Sequence, residues 1–124
     1  MEENALQTME MRMLRMIADV TRYDRVRNAY ILGSLNITSI STKLDVNRLR
    51  WLGHLERRDD SHITRVAENI IVEGKRNRGR PKLTWKHKVK ATMAKYQLDI
   101  NVCKNRNEWR QKLKELTTAK VIAK

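Results

Sequence analysis

From Val72 to Trp85 the chain reads Val-Glu-Gly-Lys-Arg-Asn-Arg-Gly-Arg-Pro-Lys-Leu-Thr-Trp, and this run holds the only proline, two of the four glycines and no acid after Glu73. Gly79 permits backbone angles that a side chain obstructs, and Pro81 has no amide hydrogen to give to a helix or a sheet. Regular structure therefore has to stop here. The run reads as an extended connector that displays guanidinium groups, with the folding elements on either side of it.

Those elements have little material for a core. The chain has 124 residues, no phenylalanine and three tryptophans, which sets an upper limit of one small, marginally stable domain. Its 27 basic and 14 acidic residues leave a charge of +13. Self-repulsion of that size opposes compaction unless a polyanion relieves it, so nucleic acid is the first candidate partner. The lone Cys103 has no partner for an internal disulfide and cannot by itself build a zinc site, which points to an inert thiol in a reducing compartment. No apolar run is long enough to span a bilayer, and Met-Glu-Glu-Asn is acidic where a secretory signal is basic. The expectation is a soluble intracellular chain without a cofactor, in the nucleus or the cytoplasm, the nucleus ahead.

The periodicity predicts helices. Leu6, Met9, Met13, Ile17 and Val20 recur at three- and four-residue steps over 5–20, giving an apolar stripe that is either part of the core or the edge of a lost upstream domain. Thr21 and Asp24 form a plausible capping pair for a second helix with Tyr23, Val26 and Tyr30 on one face, stopped by Gly33. Its Arg22, Arg25 and Arg27 read as a solvated face ahead of a phosphate contact. A third helix begins within 36–42 and reaches about Arg57, with Ile40, Leu44, Trp51, Leu52 and Leu55 inward and Arg48, Arg50, Arg57 and Arg58 outward. Asp59-Asp60-Ser61 ends it and caps a fourth helix carrying Ile63, Val66, Ala67 and Ile70, although the β-branched Ile70-Ile71-Val72 also suits a short strand. Thr84 caps a fifth helix with Trp85, Val89, Met93 and Tyr96 inward and Lys86, Lys88, Lys90 and Lys95 outward. Asn105 or Asn107 caps the last, with Trp109, Leu113 and Leu116 inward, before a frayed basic tail from Thr117.

Five motifs stand in a fixed order: Met11-Arg-Met-Leu-Arg15, Thr21-Arg-Tyr-Asp-Arg-Val-Arg-Asn28, Arg48-Leu-Arg-Trp-Leu-Gly-His54, the glycine-arginine-proline block ending at Trp85, and Asn105-Arg-Asn-Glu-Trp-Arg110. Together they resemble the carboxy-terminal region of reverse transcriptases encoded by non-LTR retrotransposons, over about residues 9–113. Met16 stands where that pattern usually has Trp, and Ser39 where it often has Pro. The resemblance implies a basic accessory module that helps hold template RNA or target DNA, without the polymerase and endonuclease domains and so without catalysis of its own.

Other chemistry finds less support. Asp59-Asp60 lacks the apolar hairpin and third carboxylate of a two-metal polymerase site and reads as a helix-ending turn. His54, His62, His87 and Cys103 show no CxxC or HxxxH spacing, so a metal site is not expected, and His54 reads as a packed or hydrogen-bonded histidine. Arg78-Gly-Arg-Pro81, flanked by Lys75, Arg76 and Lys82, resembles an AT-hook, in which glycine lets the backbone reach the minor-groove floor while both arginines follow its negative potential. A nuclear-import signal or a solvated loop explains the same residues. Trp51, Trp85 and Trp109 could stack on bases of single-stranded nucleic acid, but each occupies a core position of its helix, which favours a structural use, and Trp85, beside the connector, is the exception worth testing.

The resulting expectation is an all-α fold of five or six short helices in a small compact bundle with an extended basic connector. Residues 1–20 form the amphipathic helix, 21–116 a basic helical nucleic-acid-binding module and 117–124 the tail. RNA or DNA phosphates are expected to meet Lys75, Arg76, Arg78, Gly79, Arg80, Pro81, Lys82, Trp85, Lys86, Lys88 and Lys90. The alternatives are a protein-interaction module that docks an upstream polymerase domain or another protein through Met9, Met13 and Ile17, and a translated relic with no retained role.

Overall fold

The computed structural model describes residues 2–75, 78–81 and 83–122. The fold is all-α: α1 Glu2–Ile17, α2 Asn28–Ser34, α3 Ile40–Glu56, α4 Ile63–Asn69, α5 Trp85–Tyr96 and α6 Arg106–Ile122, with a 3-10 turn at Ile100–Lys104. Among the described residues there is no strand, and no helix is long and apolar enough to cross a membrane. The chain divides into two units, Met1–Asn47 with Leu113–Lys124, and Arg48–Lys112.

In the first unit the buried centre is Met11, Leu14 and Ile31, with Ala18, Val26, Leu32, Leu35 and Ile37 packed against it. This corrects the face expected for α1. Met11, Leu14 and Ala18 follow the helical repeat on one side, while Leu6, Met9, Met13, Met16 and Ile17 remain 45% to 77% exposed on the other. Two apolar stripes share this helix, and only the shorter one meets a partner. Arg15 ties α1 to the start of α2, its Nη2 donating to the Val26 carbonyl at 2.9 Å and to Asn28 Oδ1 at 2.8 Å. Glu10 Oε2 accepts from the Ile40 amide at 2.9 Å, placing a carboxylate at the positive end of α3, and Gln7 bonds Ser41 beside it.

The expected second helix from Thr21 to Gly33 is shorter. Asp24 Oδ2 accepts from the Thr21 amide at 2.6 Å and its hydroxyl at 2.7 Å, a pairing that holds the Asp24 carboxyl below the usual range, but it closes a turn. Arg25 then adopts φ +52°, which a helix does not propagate through, and α2 starts only at Asn28. Tyr23 and Tyr30 are correspondingly exposed, at 95% and 70%. Gly33 lies inside α2 and does not stop it. The stop is Asn36 at φ +52°, whose amide bonds the Gly33 carbonyl while the Ile37 amide bonds that of Leu32. The same double bond closes α1 at Asp19-Val20 and α5 at Gln97-Leu98. In each case a non-glycine residue takes the left-handed position and an apolar residue follows it, as in a Schellman motif.

The buried apolar residues of the second unit are Leu49, Leu52, Leu55, Val89, Cys103 and Trp109. The Trp109 indole, 2% exposed, donates from Nε1 to the Leu49 carbonyl at 3.0 Å. Gly53 makes this approach possible, because a Cβ there would lie 2.4 Å from Trp109 Nε1 and 2.5 Å from its Cδ1. Trp51 is not inward as expected. It is 47% exposed and stacks on His54 with ring centroids 5.3 Å apart, and Arg58 Nε approaches His54 Nε2 at 3.4 Å. Leu49 takes the inward position instead.

The fourth helix also differs. Its cap is His62, whose Nδ1 accepts from the Thr64 amide, where Asp59-Asp60-Ser61 was expected, and Ile63, Val66 and Ala67 are exposed. Ile70, Ile71 and Val72 form no strand and lie 62% to 89% exposed. On α5, Val89 and Thr92 are buried and Trp85, Met93 and Tyr96 are half-buried, the face the sequence indicates. Thr84 precedes α5 as expected, but its hydroxyl pairs with His87 Nδ1 at 2.6 Å and caps no amide. Asn105 Oδ1 caps α6 through the Asn107 and Glu108 amides at 3.1 and 3.4 Å. The helix buries Trp109 and Leu113 and continues past Thr117 to Ile122.

Candidate nucleic-acid interface

Charge is divided unequally between the two units. Arg48–Lys112 carries 18 basic and 7 acidic residues, a net +11, whereas the remainder carries 9 and 7, a net +2. The fold thus gathers nearly all the excess charge in the unit that contains the connector and α5.

Within that unit several acids are engaged internally. Arg65 Nη1 meets Glu56 Oε1 at 3.1 Å and Glu68 Oε2 at 3.3 Å, while its Nη2 lies 3.6 Å from Asp60 Oδ1. Glu56 foremost, opposed by desolvation and assisted by Glu68 and Asp60, holds the Arg65 guanidinium above its ordinary range. Lys86 Nζ reaches Glu68 Oε1 at 3.7 Å and Asn69 Oδ1 at 3.3 Å, so α3, α4 and α5 are linked through one polar cluster. Sequence reading missed Arg65 as its centre. The available hint was that Arg65 stands three residues before Glu68, one helical turn away. Arg57 has an internal role too, donating from Nη1 to the Cys103 carbonyl at 2.8 Å.

The connector residues Lys75, Arg78, Gly79, Arg80 and Pro81 are exposed and outside any helix, while Arg76 and Lys82 fall outside the described residues. Gly74 and Gly79 take φ +132° and +152°, angles that favour glycine, and no atom lies within 4 Å of a Cβ built on either. Gly79 is therefore required by its backbone angle and not by a crowded neighbour. Trp85 is half-buried at the first position of α5, a register position on the side of Val89 and Thr92.

Lys86, Lys88 and Lys90 are exposed as expected, but they do not share one face. At about 100° per residue, Lys86 and Lys90 fall on one flank of α5 and Lys88 and Lys95 on the other. Between the flanks, opposite the buried Val89 and Thr92, runs a line of His87, Ala91 and Ala94, all exposed. The sequence reading noticed the lysines and overlooked this line, which an alanine-rich step between lysines signals.

Among the described residues no three His, Cys, Asp or Glu side chains gather to hold a metal ion. Burial first, and Glu56 second, pushes the Cys103 thiol up to about 11, leaving it protonated and unreactive at neutral pH. Compared with protein-family models, curated proteins and solved structures, the chain matches none.

Proposed function

We propose that this chain is a nucleic-acid-binding module that holds RNA or DNA by its phosphates, without catalysis of its own, as a carboxy-terminal segment of a non-LTR retrotransposon reverse transcriptase. The net +11 gathered in Arg48–Lys112 supports the binding role. Counterion release makes such a surface bind polyanions with a steep dependence on salt. The retroelement origin rests on the five ordered motifs. The test is fluorescence anisotropy of the whole chain on duplex DNA and structured RNA across a salt series. Neutralising Arg76, Arg78, Arg80 and Lys82 to Gln should flatten the slope by about 0.9 for each lost duplex-DNA contact. Neutralising Arg22, Arg25 and Arg27 in the other unit should leave it nearly unchanged. Equal effects of the two sets would overturn the assignment of binding to this unit.

The exposed Leu6, Met9, Met13, Met16 and Ile17 favour a second reading, in which α1 docks on a protein. Methionine adapts to varied partner surfaces. Met9→Asp with Met13→Asp should then abolish capture of that partner while helix content stays the same.

A further inference from the structure

We infer that α5 is a major-groove helix whose partner is B-form duplex DNA, an inference that rests on the nucleic-acid reading and selects among its ligands. The argument begins from the cross-section of α5. Its buried line, Val89 and Thr92, faces the unit's own core. Directly opposite, about 180° away, stand His87, Ala91 and Ala94, exposed and interrupted by no lysine or arginine. Lys86 and Lys90 flank this line on one side and Lys88 and Lys95 on the other, the two pairs about 170° apart.

A helix that lies on a single phosphate backbone needs its cations in the middle of the outward face. Here the middle holds one histidine and two alanines and no lysine or arginine, and the lysines are displaced to both edges. That is the complement of a groove with two anionic rims and an uncharged floor. The B-form major groove is about 12 Å wide and admits a helix of about 10 to 12 Å diameter, so both lysine pairs reach opposite backbones when the alanine line faces the bases. The A-form major groove of duplex RNA is too deep and narrow for this. Single strands are a poorer match, since Trp85, the aromatic residue of α5 nearest the connector, is half-buried at a register position on the side of Val89 and Thr92. The Lys86 pairing with Glu68 is solvent-exposed on the lysine side, so a phosphate can replace it.

The floor contacts follow from the same line. The Ala91 and Ala94 methyl groups suit thymine methyls, and His87, whose Nδ1 is paired with Thr84, presents Nε2 to a purine edge. Discrimination among duplex sequences should therefore be weak and carried by His87.

The test uses the whole chain and three ligands of equal length: duplex DNA, the same duplex carrying bulky 5-substituted pyrimidines that fill the major groove, and duplex RNA. Filling the groove should weaken binding at least tenfold, with every phosphate unaltered. Ala91→Gln with Ala94→Gln adds bulk without charge at exposed helix positions and should reproduce that loss on plain DNA while leaving RNA affinity unchanged; circular dichroism melting confirms that the variant folds. Neutralising either lysine pair alone should reduce the salt slope on DNA to a similar extent. Unchanged affinity for the groove-filled duplex, equal loss on RNA and DNA, or a slope that responds to only one lysine pair would each overturn the inference while the nucleic-acid reading stands. Failure to bind any of the three ligands would overturn both.

Discussion

Gly53→Ala is the substitution that probes the packing most directly. In an open helix this change stabilises by about 1 kcal/mol, because alanine is the better helix former. Here the new Cβ would meet the Trp109 ring at 2.4 and 2.5 Å, about 1 Å inside ordinary contact, and the indole is 2% exposed. Separating them strains α3 or the ring by an overpacking cost of about 1 to 3 kcal/mol. It also loosens the Nε1 bond to the Leu49 carbonyl, and a buried pair left unmade adds about 1 to 3 kcal/mol. Net destabilisation should be about 3 kcal/mol, a fall in melting temperature of roughly 10 to 15 °C for a chain of this size. Gly33→Ala is the matched control, a helical glycine with nothing within 4 Å, and should raise stability by about 0.5 to 1 kcal/mol. Urea and thermal unfolding followed by circular dichroism measure both. The cycle with Trp109→Phe, which removes the indole N–H and changes the ring's contact with residue 53, should show non-additivity. A Gly53→Ala variant as stable as the parent would refute the close approach of Trp109 to α3.

Gln97 holds the left-handed position after α5 without glycine's freedom, so Gln97→Gly should raise the urea midpoint, by about 1 kcal/mol of stability. Cys103 should resist thiol alkylation at pH 8 at any rate faster than unfolding. Because its pKa is raised to about 11, its contribution to stability is complete below the unfolded value of about 8.5 and is lost as pH rises towards 11. The fall in urea midpoint between pH 8.5 and 10 should be smaller in Cys103→Ala. Gly79→Val keeps the charge and meets no neighbour, so any loss of affinity confined to A·T-rich duplex measures minor-groove use by Arg78 and Arg80. Equal affinity before and after would leave the connector as a plain cationic loop.

The helices were legible because apolar spacing and capping residues act locally. Asn105 caps α6, and Val89, Trp109 and Leu113 are buried, as their spacing indicates. What periodicity does not carry is which stripe finds a partner. On α1 the longer stripe through Met9 and Met13 is exposed, because the Schellman turn at Asp19 and the left-handed Arg25 return the chain so that Ile31 meets Met11 and Leu14. Trp51 was misplaced for a related reason. Helical spacing put it on the inward face, yet Leu49 is the buried residue whose carbonyl accepts from Trp109, and Trp51 lies off that line where it stacks on His54. Gly53 was passed over because a mid-helix glycine reads as a weakness, although one tolerated in a helix commonly marks a close approach.

The cationic character of the candidate interface was legible in composition, its arrangement only partly. The connector announces its cations by excluding acids, but a formal charge of +13 for the whole chain does not reveal that +11 belongs to residues 48–112. That concentration bears on the fold as much as on binding. Eighteen cations on 65 residues repel one another, and the acids nearest to hand, Glu56, Asp60 and Glu68, gather on the single guanidinium of Arg65, which fixes α4 and does little for the connector. Local packing therefore has to hold this unit together in the absence of a ligand, and two of its contacts are Trp109 over Gly53 and Arg57 on the Cys103 carbonyl. The cationic surface is thus carried by packing that does not depend on neutralising it.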